Sequence, residues 1–150
     1  MMLSFSVSGR IGKPVSEVFE AVVNPDRLSG YFTTGGAEGR IESGATVFWS
    51  FADFPGRFPV KVNEVVKDRK IVLHWVSDDQ TDDDAETMVT MEFEALEDGR
   101  TLVTISEEGW RDTAKGSKAS YGNCEGWTQM LCCLKAFVEH GINLREGYYQ

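Results

Sequence analysis

The sequence predicts an α+β fold: a curved antiparallel β-sheet wrapped around one long C-terminal helix, with two short helices closing one end. Three observations carry that expectation. The apolar period is two at the start, helical over the next stretch, two again through the middle of the chain and helical at the end. Turn-forming residues divide the middle stretch at hairpin spacing. The final helical segment is apolar on one side only, so it lies against something, and the apolar sheet face needs a cover.

The elements follow in order. Residues 3–11 alternate Leu3, Phe5, Val7 and Ile11 with Ser4, Ser6 and Ser8, a half-buried strand. Val15, Val18, Phe19 and Val22 then recur as one helix face, and Pro14 suits the first turn, where its missing N–H would have no partner. Asn24 is placed to cap a second short helix, with Pro25 at its first position and Asp26 near the positive dipole end. Residues 37–42 and 45–52 flank Glu42-Ser43-Gly44 as a hairpin, and Asp53 to Gly56 reads as a turn around Pro55-Gly56. Residues 58–67 point Phe58, Val60 and Val62 inward, and 70–77 put Ile71, Leu73 and Trp75 on one face. Residues 86–95 do the same with Val89, Met91 and Phe93, and 100–108 with Thr101, Val103, Ile105 and Glu107. Sequential hairpins of this kind form a meander. The closing helix is expected over 118–142, with Cys124, Trp127, Leu131, Leu134 and Val138 as its stripe, Gly141 as its stop, and a frayed tail from Arg145 to Gln150.

A chain of 150 residues fits a single domain, 1–150. Its net charge is −9, but Asp78, Asp79, Asp82, Asp83, Asp84 and Glu86 crowd one hairpin tip without a Lys or Arg among them. The rest is nearly balanced and has no basic cluster, which speaks against nucleic acid and against an anionic membrane surface. The acidic tip lacks the glycine and terminal Glu of a calcium loop and reads as a solvated turn. Cys124, Cys132 and Cys133 make no disulfide or zinc pattern and read as reduced thiols. The first strand has no signal-peptide layout, and no window approaches a membrane span, so a cytoplasmic location is expected, with no metal or cofactor.

Several stretches carry a family resemblance: Pro14-Val15-Ser16-Glu17-Val18-Phe19 with Asn24-Pro25; Gly39 and Gly44; Val62-Asn63-Glu64-Val65 with Ile71-Val72-Leu73-His74-Trp75; Val89 to Phe93; Thr101 to Ile105; and Gly126-Trp127 with Leu131 and Leu134. In order and spacing the sequence resembles the SRPBCC (START-like) superfamily, and within it most the family named after the activator of the heat-shock-protein-90 ATPase. The resemblance implies the helix-grip fold and a cavity for hydrophobic or amphipathic small molecules, without fixing one activity. Lipid carriers, cyclases, aromatases and co-chaperones share that superfamily. The sequence opens on its first strand, without the Asn- and Trp-rich signature of the eukaryotic co-chaperone, so a chaperone partner is the lesser expectation.

Strand parity and the helix stripe name the candidate lining: Trp49, Phe48, Leu73, Trp75, Met91, Phe93, Ile105, Asn123, Trp127, Met130 and Leu131. Phe48 and Trp49 cannot both face inward on a regular strand, and Trp49 is favoured. Trp110 reads equally as core or as pocket wall. Glu107 shares the inward parity: it reads first as a rim carboxylate, paired or hydrated near the strand end, and, if desolvated, as the one candidate acid or base for a cyclase- or aromatase-type enzyme. Gly122 and Gly126 weaken the early part of the long helix; either it starts later, or the missing side chains widen the pocket or let the backbone come close to a strand. His74 falls on the outer face with Val72 and Val76, a patch that suits a homodimer or a chaperone.

Overall fold

A computed structural model describes residues 2–76 and 86–149, the side chains of Trp75 and Val76 excepted. In chain order the elements are β1 (Met2–Ile11), α1 (Val15–Val23), α2 (Pro25–Leu28), β2 (Gly36–Glu38), β3 (Thr46–Phe51), β4 (Phe54–Val66), β5 (Lys70–Val76), β6 (Glu86–Ala95), β7 (Thr101–Arg111) and α3 (Ala114–His140). The described strands form one antiparallel sheet in the order β1-β7-β6-β5-β4-β3-β2. Strands β2 to β7 are a meander, and β1 joins its far edge against β7. Helix α3 lies over β1 and β7, while α1 and α2 sit beside its C-terminal half. This is the helix-grip architecture, and its order matches the sequence reading.

The short helices form as their caps dictate. Asn24 Oδ1 accepts from the Asp26 N–H at 3.0 Å, with Pro25 opening α2. Tyr31, just past α2, is fully buried and donates its hydroxyl to the Ala21 carbonyl at 3.0 Å, tying the two helices together. Burial pushes its pKa well up.

Three boundaries differ from expectation, each for a local reason. Strand β2 covers only Gly36–Glu38, because Ile41 leaves the sheet to bury itself and donate its N–H to the Val23 carbonyl. The Glu42-Ser43-Gly44 turn leans on β4 instead, through Gly44 N–H to Val62 O. Strands β3 and β4 meet at a tighter turn than read, with Phe51 opposite Phe54, so Pro55 and Gly56 lie inside β4. Helix α3 starts at Ala114, four residues before the expected 118. Thr113 Oγ1 caps it by accepting from the Gly116 N–H at 3.0 Å. A side chain at Gly116 would put its Cβ 1.9 Å from the Arg111 carbonyl oxygen, so glycine is required for this close turn from β7 into the helix.

Bulges set which side chains face inward. Between Val62 and Glu64 the β4 register slips, so Val62 and Val65 both face the core. On β7, Leu3 pairs with Trp110 and Ser4 with Glu108, leaving Gly109 (φ +126°) as the extra residue. That bulge carries Trp110 to the same concave face as Glu107, where strict alternation would have turned it out.

The tail does not fray. Arg145 is buried and grips Asp53 with both guanidinium nitrogens, at 2.5 and 2.7 Å, while Tyr149 packs edge-on to Phe54. This Arg145 contact holds the Asp53 carboxyl below its usual range. The tail closes over the β3–β4 turn because a buried bidentate pair replaces the solvation it loses.

Candidate functional site

Glu107 follows Val103 and Ile105 at two-residue spacing on β7, so the strand turns its carboxyl to the concave face, where it is fully buried. Donors from two other elements close on it. Thr87 on β6 donates its hydroxyl to Oε2 at 2.5 Å, and the Trp127 indole on α3 donates to Oε1 at 2.7 Å. Asn123 Nδ2 reaches both oxygens at 3.2 Å. Asn123 and Trp127 stand four apart on α3, hence one above the other on one helix face. Indole and amide N–H groups only donate, so the cluster is built around an acceptor, which a carboxylate is. These charge-assisted bonds offset the desolvation of a buried acid and clasp the first half of α3 to the sheet.

Beside this polar cluster lies an aromatic one. Trp127 stacks on Phe32 at 5.6 Å and meets Trp49 edge-on at 6.5 Å. Phe32 in turn meets Trp49 and Phe51 edge-on at 5.4 and 5.2 Å. The concave face thus combines one fixed carboxylate with flat apolar rings, a combination suited to amphipathic matter.

Of the residues expected to line this space, Trp49, Leu73, Met91, Phe93, Ile105, Trp127, Met130 and Leu131 are buried on the concave face or on the side of α3 that meets it. Asn123 is half-buried at Glu107. Phe48 is a correction. Strand β3 runs without a bulge through Val47, Phe48 and Trp49, so Phe48 faces outward, where the Arg57 guanidinium sits 3.7 Å over its ring. The Trp75 side chain and the acidic tip from Asp78 to Asp84 lie outside the described residues. His74 is on the convex face, hydrogen-bonded to Asn63. Val72 beside it is half-buried, and the larger exposed aromatic cluster is elsewhere, at Phe54, Tyr148 and Tyr149.

Helix α3 runs unbroken through Gly122 and Gly126, and a Cβ at either would meet nothing within 4 Å, so neither glycine serves a close backbone approach. Sequence reading missed Thr87: its inward parity with Val89 was available, but a threonine hydroxyl on a strand is as readily turned to water as to a buried acceptor. Glu139 on α3 accepts from Lys135 and from the Gly12 N–H at 2.8 Å, which hold its carboxyl below the usual range. A groove of about 640 Å³ also opens beside the β4–β5 turn, lined by Lys67, Asp68, Arg69, Glu92, Phe93 and Glu94 among others. Its charges are of both signs. Among the described residues no His, Cys, Asp or Glu cluster is spaced to hold a metal ion, and no helix is long and apolar enough to cross a membrane.

The model of the family described as activator of Hsp90 ATPase homolog 1-like protein matches residues 13–139. None of the curated proteins matches the sequence significantly. Among solved structures, a Staphylococcus saprophyticus protein is similar with a TM-score of 0.79 at 26% identity, over 95% of this chain and 96% of its own. A Mesorhizobium loti protein is similar at 0.78 and 20% identity, over 93% and 99%. The Aha1 dimer from Colwellia psychrerythraea is similar at 0.74 and 18% identity, over 93% and 98%.

Proposed function

The chain belongs to the activator of Hsp90 ATPase homolog 1-like family, and from that premise we propose that it binds a hydrophobic or amphipathic small molecule between the concave sheet face and α3. The observation that supports this reading most is the fully buried Glu107, held by Thr87, Asn123 and Trp127 next to the Phe32–Trp49–Trp127 ring cluster. A domain that only needed a core would gain as much from an apolar residue there, without desolvating a charge. A fixed polar group among rings is the layout by which binding sites orient a ligand. Native mass spectrometry of protein purified from its own host tests the reading. A co-purified non-peptide mass, released on denaturation and absent from Trp127→Ala, is the expected result. Purely apo protein from the host, together with no binding of a panel of flat amphipathic compounds, contradicts it.

A second reading concerns assembly. The similar Colwellia protein is a dimer, and Phe54, Tyr148 and Tyr149 leave a contiguous aromatic patch exposed here. We propose that this patch supports a homodimer. Light scattering that gives a dimer mass, reduced to monomer by Tyr148→Ser with Phe54→Ser, is the expected result.

A further inference from the structure

Trp110 combines three features that packing alone does not explain. Its ring is buried, with 5% exposure, and stacks on Phe5 at 5.5 Å, yet it stands apart from the main core cluster. Among the described residues its buried indole N–H has no hydrogen-bond partner. An indole N–H in that situation forfeits the bond it makes in water, and buried tryptophans ordinarily find an acceptor. The ring also faces inward only because of the bulge at Gly109. A Cβ there would lie 3.2 Å from the Glu86 carbonyl oxygen, and the backbone has a φ that favours glycine. Bulges that re-aim one side chain are characteristic of binding and active sites.

Resting on the small-molecule reading above, we infer that Trp110 supplies the hydrogen-bond donor that recognises a neutral acceptor oxygen, such as a ketone carbonyl, on the bound molecule. The same strand face explains why the acceptor is neutral. Glu107 lies one inward position along β7 from Trp110, roughly 7 Å away by strand geometry. Its carboxylate disfavours an anion at Trp110 in a water-poor space. The fitting ligand class is therefore a flat hydrophobic ketone or a similar neutral oxygen compound, not a fatty-acid anion.

Equilibrium dialysis with three probes of matched shape tests this: 2-acetylnaphthalene, 2-ethylnaphthalene and 2-naphthoate. The ketone should bind about 3- to 10-fold more tightly than the hydrocarbon, the worth of one neutral hydrogen bond, and naphthoate more weakly than the ketone. In Trp110→Phe the ketone should fall to the hydrocarbon's affinity while the hydrocarbon stays within about twofold, the ring being retained. In the unmodified protein carrying ¹⁵N-labelled tryptophan, the Trp110 indole proton should move downfield with the ketone and not with the hydrocarbon, a readout that does not depend on the variant folding. Equal affinity of ketone and hydrocarbon, or a preference that survives Trp110→Phe, overturns the role of Trp110 and leaves the site standing. Binding of none of the three overturns the site reading and this inference with it.

Discussion

Replacing Glu107 tests whether its cluster holds α3 on the sheet. In Glu107→Leu the side chain stays large and apolar, but the Trp127 and Asn123 N–H groups lose their acceptor at 2.7 and 3.2 Å. Orphaned buried donors cost about 1–3 kcal/mol each, so the two together cost about 4 kcal/mol. Glu107→Gln is gentler. Its amide oxygen can occupy the Oε1 position and accept from Trp127 and Asn123. Its NH₂ can then donate to Thr87, whose hydroxyl switches from donor to acceptor. Among the described contacts the loss is then the charge assistance, about 1–2 kcal/mol. With a urea slope of about 2 kcal/mol per molar, the unfolding midpoint followed by tryptophan fluorescence should fall by about 2 M for the leucine variant. For the glutamine variant the fall should be less than about 1 M. Equal losses in the two variants, or no loss in Glu107→Leu, would refute the reasoning, because the difference rests entirely on which donors keep an acceptor.

Three further outcomes follow from the same structure. Arg145 holds the Asp53 carboxyl below its usual range, so the tail's contribution to stability is present above the ordinary carboxylate pKa of about 3.9 and is lost as pH falls below it. The Tyr149 ring resonances should therefore shift to those of a released tail in acid, and in Asp53→Asn that acid step should vanish. Tyr31 is raised by burial, so stability should decline as pH rises above about 10, where the unfolded chain ionises first; thermal melts of Tyr31→Phe should show a flatter alkaline limb. Gly126→Ala places its Cβ where nothing lies within 4 Å and should raise stability by up to about 1 kcal/mol through helix propensity, read from the urea midpoint.

The fold was legible wherever a period ran long enough to fix a face. The alternation of β5, β6 and β7 and the stripe of α3 placed Leu73, Met91, Ile105 and Trp127 on the buried side. Features that depend on one residue breaking a period were not legible. Trp110 reads as core or pocket wall, but strict alternation from Glu107 turns it outward; the bulge at Gly109 that brings it inward is hidden, because nothing local in Glu108-Gly109 distinguishes a bulge from a strand end. The start of α3 was hidden because Ala114 to Ser117 has no apolar repeat and the capping Thr113 follows a strand directly. The docked tail was invisible for a different reason: Asp53 and Arg145 are 92 residues apart, and their pairing is a consequence of the finished fold. Glu107 was found by parity, but its satisfaction by Thr87, Asn123 and Trp127 requires three elements to be in place at once.

The most direct test of a ligand site between sheet and helix is backbone and indole NMR shift mapping of the ¹⁵N-labelled protein on titration with 2-acetylnaphthalene. Saturable shifts centred on Thr87, Ile105, Glu107, Asn123 and the Trp127 indole are the predicted result. Shifts confined to the groove around Lys67, Arg69 and Glu92, or none at saturating probe, contradict it.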